Sequence, residues 1–141
     1  MEKTMICLSA KKDSGKTSSL KLLFYEILKG TNVLWNNRND IVGVTMYEGY
    51  KIGVASQGDP WLNKKGIEKL IKENCDVIVC AARTHGSTAN EVGRHGNEYN
   101  IFWITAMRIE SNIPLDASFY RLCHEKNASL IMQLIQSIHN A

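Results

Sequence analysis

Eight consecutive residues, Ala10-Lys11-Lys12-Asp13-Ser14-Gly15-Lys16-Thr17, combine the residue types needed to hold a polyphosphate. An apolar run, Met5-Ile6-Cys7-Leu8, stands before them. Ser18-Ser19-Leu20-Lys21-Leu22-Leu23-Phe24-Tyr25-Glu26-Ile27-Leu28 follows, apolar at helical spacing. Strand, tight turn and helix start place unpaired backbone N–H groups around one point, where the helix dipole favours an anion. In that setting Lys16 reaches the β- and γ-phosphates of a nucleotide, and the Thr17 hydroxyl ligates Mg²⁺. Lys11, Lys12, Asp13, Ser14, Gly15 and Ser18 complete the expected phosphate cradle. A carboxylate facing the γ-phosphate repels it, so Asp13 is expected to point outward or to orient an acceptor hydroxyl.

These residues resemble the Walker A motif of the P-loop NTPase superfamily. The usual first glycine is replaced by Ala10, a small residue at the strand end. Lys11, five residues before Lys16, is similar to the signature lysine of the ParA-like and nitrogenase-iron-protein-like ATPases. Their two glycines correspond to Lys12 and Asp13 here. The core Lys12–Thr17 also resembles the loop of the small P-loop adapter of molybdopterin guanine dinucleotide synthesis, a likeness that ends at Leu28. The resemblance implies an NTP, ATP or GTP with ATP favoured, together with Mg²⁺.

Such chemistry needs a second metal anchor and a cation over the transferring group. Three residues separate Asp59 from the strand-like run Ile52-Gly53-Val54-Ala55, and Ser56 stands at its end. Both are candidate metal supports, although Asp59 before Pro60 is equally a helix N-cap. Arg83 closes the apolar run 76–82 and is a candidate to stabilise a moving phosphoryl group. Arg94 lies in the polar, glycine-rich stretch 84–98, which is long for a connection and occupies the place of a kinase lid, with Gly86, Gly93 and Gly96 as hinges. His85 and His95, in the same stretch, receive no catalytic role. The patterns of several other NTPase classes are missing. No Glu follows Asp59, no Asn-Lys-x-Asp follows a late strand, and no ABC-type signature occurs. Asn63-Lys64-Lys65-Gly66 lies on a helix and ends in Gly.

The elements that must position these groups follow from periodicity. Residues 4–9 read as a buried central strand. A helix is expected from about Gly15 to Lys29, stopped by Gly30. Residues 33–35 form a short strand and 36–40 a solvated connector, with Arg38 as a minor candidate for acceptor contact. Residues 41–47 and 50–56, separated by Glu48-Gly49, read as a hairpin with its first strand at the sheet edge. A helix runs from Asp59 to about Asn74, with Lys64, Lys65, Lys69 and Lys72 on a solvated face. Strands at 76–82 and 101–107 precede a helix over 116–139, with Asn127 as a point where it can break. Its apolar stripe is Phe119, Leu122, Cys123, Leu130, Ile131, Leu134, Ile135 and Ile138.

The expected fold is therefore α/β, a three-layer P-loop NTPase-like sandwich. Its mostly parallel central sheet carries one β-hairpin, and residues 1–141 form a single domain. Ligands of such sheets bind beyond the carboxyl ends of the strands.

Among 141 residues, 17 basic and 14 acidic side chains leave a net charge of +3. That balance does not support a nucleic-acid partner. The N-terminus lacks a signal-peptide pattern and no apolar run reaches membrane-spanning length, so a cytoplasmic protein is expected. Cys7, Cys75, Cys80 and Cys123 show no CxxC spacing and read as buried structural thiols; an approach of Cys75, Cys80 and His85 is the minor alternative.

Two activities fit. The first is a small nucleotide-kinase-like phosphotransferase in which Lys16, Arg83 and Arg94 act on the phosphates. The second is an NTP-hydrolysing switch or adapter working through a protein partner. A binding module without turnover is a further alternative. The acceptor or partner and the oligomeric state are left open.

Overall fold

The apolar run at the N-terminus forms β1 (Thr4–Ala10), and its side chains alternate between two cores. Ile6 and Leu8 point to a cluster containing Leu20, Leu23, Phe24, Ile131 and Ile135. Met5 and Cys7 point to one containing Ile67, Leu70, Cys80 and Val92. A strand with both faces buried must lie inside a sheet covered on both sides. The computed structural model describes residues 2–11, 15–83 and 86–140 and shows that arrangement.

The elements after β1 are α1 (Lys16–Leu22), β2 (Asn32–Asn36), β3 (Ile41–Tyr47), β4 (Tyr50–Ala55), α2 (Pro60–Lys72), β5 (Val77–Arg83), α3 (Ser87–Gly93), β6 (Asn100–Thr105) and α4 (Ala117–His139). The described strands form one six-stranded mixed sheet in the order β2-β3-β4-β5-β1-β6. Pairings β1–β5, β1–β6 and β4–β5 are parallel, whereas β2–β3 and β3–β4 are antiparallel. Helices α1 and α4 supply one core cluster, and α2 and α3 the other.

The first helix is shorter than its periodicity predicts. After Leu22 the chain widens into a π-helical turn, Leu23–Ile27, closed by Leu28 N–H donating to the Leu23 carbonyl at 2.9 Å. Lys29, not Gly30, takes the left-handed conformation, with φ 55°. Gly30 is required for space: a Cβ there would sit 2.4 Å from Cζ of the fully buried Phe24. Gly43 meets the same ring atom at the same distance.

The hairpin is present, turning at Glu48 (φ 47°) and Gly49 (φ 86°), the two positive values such a turn demands. Its first strand is not at the edge, however. Strand β3 pairs on both sides, and β2 forms the edge instead. The stretch expected as an open lid contains α3, anchored by buried Thr88 and Val92. Thr84 and His85 lie outside the described residues. Helix α4 runs unbroken through Asn127, which is 2% exposed. Of its expected apolar stripe, Phe119, Leu122 and Leu130 are exposed. The four cysteines are buried free thiols, and burial pushes the Cys75 thiol up to about 11.

Candidate functional site

The parallel strands β1, β4, β5 and β6 deliver their carboxyl ends to one sheet edge, and the antiparallel β3 starts there. Gly15 caps α1 in the left-handed conformation, with φ 81°. Its carbonyl accepts from the Ser19 backbone N–H at 3.0 Å and from Ser19 Oγ at 2.9 Å, which fixes the turn to the helix. Lys16, only 7% exposed, folds back over the strand end. Its Nζ donates to the carbonyl oxygens of Ala10 at 2.9 Å and Lys11 at 3.0 Å. Ser18 is exposed beside it. Lys12, Asp13 and Ser14 of the expected cradle lie outside the described residues.

Thr17 turns toward a carboxylate that sequence reasoning missed. Its Oγ1 lies 3.3 Å from Asp40 Oδ1 and 3.2 Å from the Ser56 carbonyl oxygen. One hydroxyl proton serves one of these acceptors at a time. Asp40 is held by its own loop and by Ser56. The Asn37 side-chain oxygen accepts from the backbone N–H groups of Asn39 at 2.8 Å and Asp40 at 2.6 Å. Such a side-chain-closed turn is what asparagine favours. Fully buried Ser56 donates from Oγ to Asp40 Oδ1 at 3.0 Å and accepts from the Ile41 N–H at 2.9 Å. Ser56 thus holds Asp40 in place. The connector 36–40 is accordingly a shaped turn, with exposed Arg38 at its tip.

Asp59, the other sequence candidate for a metal, is engaged as a helix cap. Its Oδ1 accepts from the N–H groups of Trp61 at 3.0 Å and Leu62 at 3.2 Å. A hydroxyl and a carboxylate at one strand edge form a hard-oxygen set suited to Mg²⁺. Thr17 and Asp40 are that pair.

Arg83 is the register partner of Ala10, so it emerges directly beside the start of the loop. Its backbone N–H donates to Thr88 Oγ1 at 2.9 Å, and its side chain is exposed. Arg94 is not brought to this edge. It pairs with Glu91 at 2.9 Å and reaches Glu68 of α2 at 3.6 Å.

Helix α4 packs against Gly15 and α1. A Cβ on Gly15 would lie 2.4 Å from His124 Nε2, so the imidazole packs directly on the glycine. Burial, and then the Arg121 charge, hold His124 below its ordinary value. Asn127 links three segments: it donates from Nδ2 to Ser19 Oγ at 3.2 Å and accepts from Met107 N–H at 2.7 Å. No pattern in the sequence marked His124, and Asn127 stood out only as a possible helix break, because their roles exist only once α4 crosses α1.

Among the described residues no helix is long and apolar enough to cross a membrane. No protein-family model matches the chain, and no curated protein or solved structure matches it either.

Proposed function

We propose that this chain is a Mg-NTP-binding P-loop protein with a three-layer P-loop-like sandwich, using ATP in preference to GTP and acting in the cytoplasm. The observation that carries the reading is the Thr17–Asp40 approach beside Lys16 at the carboxyl edge of the sheet. Lys16 binds the β- and γ-phosphates, exchanging its two carbonyl contacts for phosphate oxygens. Thr17 and Asp40 hold the metal, Ser56 orients Asp40, and Mg²⁺ when bound neutralises charge on the phosphates.

The reaction proposed is phosphoryl transfer to a small acceptor. Arg83 beside Ala10 supports it, because an arginine there faces the charge that develops on the transferring group. Arg94 contributes only if it leaves its carboxylates. ADP formation is measured with each nucleoside monophosphate as acceptor, for wild type and Arg83→Ala. Acceptor-dependent ADP that falls at least ~100-fold in the variant is the expected result. Turnover untouched by Arg83→Ala refutes that assignment.

A hydrolytic switch is the second reading, and one observation favours it. Hydrogen bonds run from the Gly15 carbonyl through Ser19 and Asn127 to Met107, the second residue beyond β6. Such a connection carries a change at the loop to the exposed segment before α4. Phosphate release without any acceptor, lost in Asn127→Ala only when a protein partner is added, is its signature.

A further inference from the structure

The described sheet ends in two edge strands, β2 and β6, and they are built differently. An open edge is a template for pairing with another chain, and native proteins blunt it with a bulge, a lysine or a proline. Strand β2 carries such a device: its register against β3 shifts between Val33 and Trp35. Strand β6 carries none. Its residues, Asn100-Ile101-Phe102-Trp103-Ile104-Thr105, include no charge and no proline, and they pair with β1 in unbroken register.

The backbone of β6 is presented regularly. Asn100 and Ala106 donate their N–H groups inward, to the carbonyls of Lys3 and Ser9, each at 2.9 Å. Strand alternation then directs the N–H and C=O groups of Ile101, Trp103 and Thr105 outward, where no described strand lies. Phe102 is 39% exposed and Trp103 49%, one on each face of the strand. Helix α4 leaves this edge open because it crosses the sheet obliquely. Asn127 ties it to Met107 just beyond β6, whereas Gln136 Nε2 donates to Tyr47 Oη at the β3–β4 hairpin, at 3.2 Å. Arg121 faces Glu26 on the α1 side of α4. The helical period puts exposed Phe119 and Leu130 on the opposite side, toward β6.

We infer that β6 pairs antiparallel with β6 of a second copy about a two-fold axis, joining two sheets into one. An axis through Trp103 sets Trp103 opposite itself, Phe102 of one copy opposite Ile104 of the other, and Ile101 opposite Thr105. Every pair keeps its side chains on matching faces, and the outward groups of Ile101, Trp103 and Thr105 bond across the axis. Self-pairing sets like residues close together, which repels if they are charged; β6 has no charge to repel. The area also fits a second copy. Phe102, Trp103, Met107, Phe119 and Leu130 leave on the order of 500 Å² of apolar surface exposed, close to the apolar share of the ~800 Å² that each partner gives a stable interface. Closed two-fold pairing is also the commonest way for identical chains to assemble. The pairing does not depend on nucleotide binding.

The test is sedimentation equilibrium of wild type, Trp103→Lys, Trp103→Glu, an equimolar mixture of those two variants, and Trp61→Glu. Trp61 is an equally exposed indole on α2 and serves as the control. Wild type and Trp61→Glu are expected at about twice the 15.9 kDa of one chain at micromolar concentration. Each Trp103 variant weakens dimerisation at least ~100-fold, because two like charges then face each other. The mixture regains the dimer, because opposite charges face instead. Circular dichroism confirms that the variants fold. Amide exchange needs no variant: Ile101, Trp103 and Thr105 are protected in wild type and lose protection on dilution. Monomeric wild type, which leaves the edge to a different chain, overturns the inference. So does a dimer that persists in both Trp103 variants, a mixture that stays monomeric, or rapid exchange of the three amides at every concentration.

Discussion

Asp40 Oδ1 stands 3.3 Å from Thr17 Oγ1, although 23 residues separate the two in sequence. The approach follows from strand direction. Strand β3 is antiparallel to β4, so its first residue, Ile41, lies beside the last residues of β4. The Ser56 N–H accordingly donates to the Ile41 carbonyl at 3.0 Å. An acid that precedes an antiparallel strand therefore reaches the same edge as an acid that follows a parallel one.

Asp40→Asn keeps the size of the side chain and removes its charge. If Asp40 is the metal anchor, the Mg²⁺ dependence of nucleotide binding falls at least ~tenfold in this variant, and Asp59→Asn leaves it unaltered. Titration of ATP with and without EDTA measures both. The reverse pattern moves the metal to Asp59.

His124 makes stability depend on pH. Burial and Arg121 lower its proton affinity in the folded chain below the ordinary value of 6.5. The unfolded chain then takes up a proton more readily than the folded one. Stability from this group is complete above 6.5 and is lost as pH falls through that value toward the folded one. Lys21 and Glu26 of the first helical segment, and Arg121 on α4, line the same seam. Their contribution is removed by comparing wild type with His124→Gln. Urea midpoints between about pH 7.5 and pH 5.5 should fall further in wild type. Equal falls rule out His124 as the source.

Gly43→Ala drives a methyl group into the Phe24 ring, 2.4 Å from Cζ before relaxation. Both residues lie in the packed core, so the cost is about 1–3 kcal/mol. Urea unfolding measures it. In the Phe24→Leu background the same exchange costs less, because the smaller side chain vacates the space. An equal cost in both backgrounds contradicts the contact.

The parts of the fold legible in the sequence were those set by local pattern. Apolar β1, the Glu48-Gly49 hairpin and the Asp59-Pro60 helix start all follow from residues within a few positions. Long-range partners decided the rest. Strand β3 appeared to be an edge because nothing local announces β2 as its neighbour. Asn127 looked like a helix breaker, but it stays helical because its amide is satisfied by Ser19 and Met107. Phe119 and Leu130 fit a helical stripe, yet the core does not extend to their side of α4. At the site, Lys16 and Thr17 were readable from spacing. Asp40 was not, because it precedes its strand, whereas the acid of the usual pattern follows one. Arg94 was placed near the phosphates by position in sequence, whereas α3 carries it to Glu91 and Glu68.

The central claim is nucleotide binding at Lys16, and the most direct test is the shift in melting temperature produced by Mg-ATP. Wild type should be stabilised, by about 2.7 kcal/mol when the nucleotide is at 100 times its dissociation constant, and more by ATP than by GTP at equal concentration. Lys16→Ala, which removes the ammonium, should show no shift. An equal rise in wild type and Lys16→Ala contradicts the account.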